Sequence, residues 1–200
     1  MHDDLADWWL STFTADERRL IAEKFRPLGS SGGWINESNI EHAPGGPVAF
    51  LTNLAGWFQS TPHRHLALKI LDKAEALAVS EGSKGVLDLH FMYLSQIQTN
   101  YRDREVRAGA LEATIAACYA QIAISRRALA QFRREYGNLL PSHTGFEQLS
   151  IIREKQGAFD EAIALCTRAK KEGWMGNWDK RKARCTAKRK KAQAGRRTRP

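Results

Sequence analysis

Apolar residues recur at helical spacing along most of the chain from Val48 onward, and this periodicity restricts the fold more than any other feature. No segment alternates apolar and polar residues in the way that a half-buried strand does. The periodicity predicts helices over 48–59, 64–81, 85–102, 105–122, 124–136, 143–156, 159–172 and 176–192. We therefore expect an all-α protein.

The first 47 residues predict a helical segment followed by a long loop. Thr14 and Glu17 have the spacing of a capping box, in which the two side chains bind free N–H groups at a helix start, so a helix is expected over 15–25. An apolar cluster at 5–10 predicts a short helix before it. Residues 27–47 are rich in Gly, Ser, Asn and Pro and show little periodicity, which is typical of a loop.

Residues 145–169 carry large and small side chains in a regular order around one glycine. The pattern resembles the tetratricopeptide repeat, in which small residues let two antiparallel helices approach closely and a glycine permits the turn between them. The matching residues are Phe146, Leu149, Ser150, Gly157, Phe159, Ala162 and Ala169. Arg153 departs from the pattern, because an aromatic residue is usual there.

Two earlier segments match the same template. The first match consists of Leu51, Leu54, Ala55, Phe58, Ala67, Leu71 and Ala74, with Ser60–Pro62 as the turn. The second consists of Leu94, Ile97, Tyr101, Ala110, Thr114 and Ala117; Gln98 stands where a small residue is usual, and the turn glycine is absent. The resemblance implies a right-handed α-solenoid of about three hairpins over 48–178. An antiparallel helical bundle with alanine-rich contacts is the alternative.

The chain has a net charge of +9, but the positive charge is concentrated at its end. Residues 170–200 hold 13 Lys or Arg and two acids, which leaves 18 basic and 20 acidic residues in 1–169. Residues 179–200 are expected to form a basic helix and, beyond about residue 192, a disordered tail. Trp174 and Trp178 are expected on one helix face, where they would cap the last repeat.

These features predict two separate binding surfaces. The resemblance implies a concave groove for a peptide or protein partner, lined by Thr52, Gln59, Ser95, Thr99, Arg102, Glu147, Glu154 and Lys155. The tail residues expected to attract polyanions are Lys180, Arg181, Lys182, Arg184, Lys188, Arg189, Lys190 and Lys191. The leading hypothesis is a non-catalytic adaptor. A nucleic-acid-associated protein that uses the tail is the alternative.

The sequence offers little support for catalysis or for a cofactor. Its six histidines form no HExxH motif, and no P-loop, GxSxG or GxGxxG occurs. Cys118, Cys166 and Cys185 form no CxxC, so buried thiols are expected rather than a metal site. Ser142 is expected to cap the helix that begins near His143. An enzyme with a site between the 27–47 loop and the repeats remains a third hypothesis. Without a signal-like or membrane-spanning segment, the cytoplasm is the expected location.

Overall fold

A computed structural model of the chain describes residues 3–27, 45–80, 85–137 and 140–197, with side chains as far as Ala194. The described part is all-helical and contains no strand. Its helices are α1 (Asp3–Thr12), α2 (Ala15–Lys24), α3 (Gly46–Gly56), α4 (Arg64–Ser80), α5 (Val86–Arg102), α6 (Ala110–Ala123), α7 (Ser125–Tyr136), α8 (Thr144–Lys155), α9 (Phe159–Glu172) and α10 (Trp178–Arg197). The predicted loop lies mostly outside the described residues, as do residues 198–200.

Four pairs of consecutive helices pack extensively against each other: α3 with α4, α5 with α6, α8 with α9, and α9 with α10. We call the first three of these pairs, which contain the sequence matches, the first, second and third hairpins. The small residues of the sequence pattern are buried in these helices: Ala55, Ala67, Ala74, Ala110, Ala117, Ser150, Ala162 and Ala169. Gly157 adopts a φ of 77° between α8 and α9, a conformation that glycine reaches at little cost. The first hairpin turns through a short 3-10 helix, Thr61–His63.

The second and third hairpins each contact the preceding hairpin through their own first helix, which packs against both of its helices. Helix α5 packs against both α3 and α4, and α8 packs against both α5 and α6. Helix α10 packs against α9, and α7 lies against α5 outside the three hairpins. Neighbouring hairpins therefore share apolar surface that each of them would otherwise leave exposed.

The N-terminal helices complete the apolar core of the first hairpin. The capping box of Thr14 and Glu17 is present at the start of α2, as expected. Phe13 and Trp9 are buried in one apolar cluster with residues of α3 and α4. Lys69 on α4 donates to the Thr12 carbonyl and to both Glu17 oxygens, and so ties the two N-terminal helices to the first hairpin.

Several expectations about local structure were wrong. Gly109, with a φ of 75°, precedes α6, so the second hairpin does have a glycine in its connection, four positions after the place where the template puts it. His143 caps α8 in place of Ser142, because its Nδ1 accepts the N–H of Phe146. Helix α10 runs to Arg197 although disorder was expected beyond 192. Residues 193–197 are Gln, Ala, Gly, Arg and Arg, and all of them except the glycine are strong helix formers.

The two tryptophans near residue 176 do not share a helix face. Gly173 ends α9 in the left-handed conformation, and the N–H of Trp174 turns back to the Ala169 carbonyl. Trp174 is consequently buried in the connection between α9 and α10, while Trp178 begins α10. Their link is a hydrogen bond of 2.8 Å from Trp178 Nε1 to the Trp174 carbonyl.

Candidate functional site

The first helices of two adjacent hairpins, α3 and α5, enclose an open pocket of about 530 Å³. Its lining residues are Thr52, Asn53, Gly56, Trp57, Phe91, Leu94 and Ser95. Trp57 and Phe91 are each 44% exposed, which is high for large apolar side chains. Thr52 and Ser95, two of the residues predicted to line a groove, lie here.

Sequence reasoning missed the two aromatic residues. Phe91 stands four positions before Ser95, so the two share one face of α5. Trp57, the residue directly after α3, similarly follows Asn53 by four positions. An aromatic residue on the same helical face as a predicted groove residue was the signal available, but the repeat template marks other positions on that face.

The Thr52 side chain adds an unsatisfied polar group to this pocket. Its hydroxyl oxygen is buried and has no hydrogen-bond partner among the described residues. Buried polar atoms in folded proteins are nearly always hydrogen-bonded, and an exception requires an explanation. The oxygen itself is shielded from solvent, so a ligand would reach it only if the Thr52 side chain turned toward the pocket.

Gln59 accepts several hydrogen bonds at the end of the α3–α5 interface that lies away from this pocket. Thr99 Oγ1 donates to Gln59 Oε1 over 3.0 Å, and Arg102 Nη1 donates to the Gln59 carbonyl over 3.1 Å. Arg64 also donates to this carbonyl and forms an ion pair with Asp103. These predicted residues are thus brought together, but their polar groups bind one another and fix the two hairpins in place.

Thr99 was wrongly predicted to be an accessible groove residue. It is fully buried, whereas Gln98 beside it is exposed. Gln98 was the residue that departed from the small-residue pattern. Thr99 is buried because α5 turns this side chain inward, where its hydroxyl hydrogen-bonds to the Ser95 carbonyl and to Gln59.

Helix α8 presents its predicted groove residues to α10 and α5. Arg184 Nε and Nη2 donate to the two oxygens of Glu154 over 2.8 and 2.6 Å, and Lys188 lies 2.8 Å from the same carboxylate. The Glu154 side chain is only 7% exposed, so it is not an accessible groove residue. Arg181 donates to Glu147 over 3.0 Å, and Lys155 donates to the Tyr101 hydroxyl over 3.1 Å.

The charge of Glu154 is strongly stabilised by these contacts. The hydrogen bond from Arg184 is the main cause that lowers its pKa to about 2, with Lys188 acting in the same direction against the effect of burial. The carboxylate is therefore ionised in the folded protein over the ordinary pH range. Glu154 therefore holds α10 against α8 and is not available to bind a partner protein in the groove.

The basic residues of α10 divide into a paired set and an exposed set. Arg181, Arg184 and Lys188 bind carboxylates of α8, and Arg189 pairs with Asp160 at the start of α9. Lys180, Lys190 and Lys191 are exposed, and Lys182 is half-buried. The expected separation of groove and tail was wrong, because half of the predicted polyanion-binding residues pair with the third hairpin.

Two imidazoles lie in the interior between α5 and α8. His90 and His143 are buried with ring centroids 5.2 Å apart, and Trp174 contacts both rings. Burial lowers the pKa of His90 to about 4, and burial together with the neighbouring His90 lowers that of His143 to about 3. Both rings are neutral near pH 7. Their position against aromatic rings gives them a packing role.

The described residues hold no group of three or more side chains that is suited to a metal ion. Cys118, Cys166 and Cys185 are all buried and unpaired with one another. Burial raises the pKa of Cys118 to about 12 and also raises that of Cys166 and Cys185. These cysteines are thus protonated thiols, whereas nucleophilic chemistry needs the thiolate.

Comparison of the chain with protein-family models, with curated proteins and with solved structures gave no match. Within the part of the chain that the structure describes, no helix is both long enough and apolar enough to cross a membrane. The class of protein that these findings define is an all-helical one whose helices pack against their neighbours along the chain.

Proposed function

We propose that this protein is a non-catalytic interaction module of the tetratricopeptide type, and that it binds an extended segment of a partner protein between α3 and α5. The observation that carries the proposal is the pocket in which Trp57 and Phe91 stand exposed beside the unsatisfied hydroxyl of Thr52. The packing of α5 and α8 against both helices of the preceding hairpin supports the solenoid architecture.

The chemistry of the pocket indicates what the partner segment offers. Exposed aromatic side chains at interfaces provide a large apolar contact area and frequently carry much of the binding free energy. Gly56 on the α3 side leaves room for a bulky side chain between them. We therefore expect the segment to insert an apolar side chain here, while its backbone hydrogen-bonds to Thr52 and Ser95.

Selection of peptides on the full-length protein tests this proposal. Peptides from a displayed random library are selected on the immobilised chain, and their affinities are measured by titration calorimetry. We expect the selected peptides to share a bulky apolar residue. Trp57→Ala or Phe91→Ala should each weaken binding about tenfold or more, as truncation of a central aromatic contact does.

Val106→Ala is the matched control, because Val106 is an exposed apolar residue in the α5–α6 connection, outside the pocket. It should leave the affinity unchanged. Failure to select any peptide, or selected peptides that bind the Trp57 and Phe91 variants as tightly as the parent chain, would refute the assignment of the groove.

The alternative function, nucleic-acid contact through the tail, is supported by fewer available basic residues than the sequence indicated. Ion pairs to α8 and α9 occupy four of the eight tail residues that were predicted to bind polyanions. The loop of the third hypothesis, an enzyme site between residues 27–47 and the repeats, lies mostly outside the described residues.

A further inference from the structure

Helix α7 lies outside the three hairpins and is the most arginine-rich element before the tail. It carries Arg126, Arg127, Arg133 and Arg134, all exposed. Between α7 and α9 lies a pocket of about 340 Å³ lined by Arg126, Leu129, Ala130, Arg133, Arg168, Lys171 and Glu172. Four cationic side chains thus surround an apolar floor made by Leu129 and Ala130.

The one carboxylate of this pocket is already neutralised. Glu172 accepts hydrogen bonds from Ser125 Oγ over 2.7 Å and from Arg168 Nε over 2.8 Å, and its side chain is only 5% exposed. Arg126 lies 3.6 Å from the same group. Among the described residues, Arg133 and Lys171 form no ion pair. Positive charge therefore remains at the pocket mouth.

A second pocket, of about 350 Å³, continues this basic surface on the other side of α9. It shares Lys171 with the first pocket and adds Lys170 and Lys182, with Asp179 paired to Lys170. We call the cations of both pockets the basic track: Arg126, Arg133, Arg168, Lys170, Lys171 and Lys182. These six cations face two carboxylates, each of which already has a basic partner.

An exposed aromatic ring stands at the α7 end of the basic track. Tyr136 is 55% exposed and follows Arg133 by three residues, so the ring lies one helical turn beyond that guanidinium. Phe132 is buried behind it, with ring centroids 6.0 Å apart. The ring is therefore backed by the core and remains open to solvent on its outer side.

We propose that the basic track binds the phosphate backbone of a single-stranded nucleic acid and that Tyr136 stacks on one of its bases. A positive groove that follows the backbone, next to an aromatic side chain open to stacking, is the combination by which proteins hold single strands without reading their sequence. Arginine forks also match phosphate oxygens in geometry. An acidic protein segment would use the cations but has no base to stack on Tyr136.

The site differs from the tail in both position and composition. Five of its six cations belong to α7 and α9, and the sixth, Lys182, lies on α10. The basic residues of α10 that bind Glu147 and Glu154 face α8 and take no part. The inference is also independent of the peptide groove, which shares no residue with the basic track.

Fluorescence anisotropy with a labelled oligouridylate of about 15 nucleotides, a length within the usual site sizes for single strands, tests the proposal on the full chain. Affinity is measured across a NaCl series. In Arg133→Gln/Lys171→Gln, which keeps all partners of Glu172, the slope of log affinity against log salt should fall by about 1.4, or about 0.7 for each lost phosphate contact. Tyr136→Ala should weaken binding about fivefold or more.

The matched control is Arg19→Gln/Lys24→Gln, which removes the same charge from exposed positions on α2. It should bind like the parent chain, and Tyr136→Phe should retain the effect of the ring. The proposal is overturned if the parent chain does not bind the oligonucleotide, or if the track and control variants behave alike. It is also overturned if polyglutamate binds with the same affinity and the same dependence on Arg133 and Lys171, because the track would then serve acidic proteins.

Discussion

His90 and His143 make stability depend on pH at the scale of single residues. In the unfolded chain an imidazole takes up a proton near its ordinary pKa of 6.5, whereas in the folded protein the two pKa values are about 4 and about 3. Between these limits the unfolded state binds more protons than the folded state. The free energy of unfolding must therefore decrease as the pH falls from 6.5 toward 4.

We expect this decrease to be about 1.4 kcal/mol per pH unit for each histidine once the pH is well below 6.5. His143→Asn removes one of the two protons and keeps a side-chain acceptor for the Phe146 N–H. The variant should show about half the parental slope between pH 5 and pH 6. Urea unfolding at several pH values measures it, since the slope is independent of any constant loss of stability.

His65→Gln is the comparison for that measurement. His65 is exposed and lies outside the interior pair of His90 and His143, so its replacement leaves the burial of those two rings unchanged. An unchanged slope in His143→Asn would show that His143 takes up its proton in the folded state as readily as in the unfolded chain.

At the scale of elements, α10 is held by both apolar and ionic contacts. Its apolar face contributes Trp178 to the core of the third hairpin, and Cys185 is buried on the same helix. On the adjoining face, Arg184 and Lys188 converge on Glu154. A mostly buried carboxylate is costly without partners, so the ionic contacts set how α10 is placed on α8.

A double-mutant cycle between Glu154→Gln and Arg184→Gln measures this contact. We expect a coupling of about 1–3 kcal/mol in the free energy of unfolding, because the pair is bidentate and the carboxylate is shielded from water. Lys190→Gln removes the same charge from an exposed position on α10 and should change stability by no more than about 0.5 kcal/mol. A coupling near zero would mean that Lys188 alone satisfies Glu154.

The elements themselves could be predicted from sequence much more fully than their contacts. Periodicity placed α9 at 159–172 and the second helix of the first hairpin near 64–81, since helix formation depends on local spacing. The pairing of Glu154 with Arg184 joins residues 30 positions apart and leaves no local signal. The function of the tail was consequently predicted from its composition alone. The groove residues were predicted from the repeat template, which does not include Trp57 and Phe91.

At the scale of the whole molecule, two apolar clusters share α5. The first joins α1–α4 and includes Met92, and the second joins α5–α10 and includes Leu87 and Ile97. Gln59, Arg64 and their partners on α5 connect the first hairpin to the second by polar contacts. Stability in such an arrangement is expected to be a sum of hairpin and nearest-neighbour contributions.

Amide hydrogen exchange can show whether the two clusters behave separately. It is measured in two variants, each of which loses one methyl group from one of the clusters. Ile70→Val perturbs the first cluster from α4, and Ile122→Val perturbs the second from α6; each should cost about 0.5–1.5 kcal/mol. If contacts act mainly between neighbours, Ile70→Val should speed amide exchange chiefly in α1–α4 and Ile122→Val chiefly in α6–α10, with α5 responding to both. Each variant serves as the control for the other. Equal acceleration throughout the chain in both variants would instead identify a single cooperative unit, in which α5 transmits the loss of one methyl group to every hairpin.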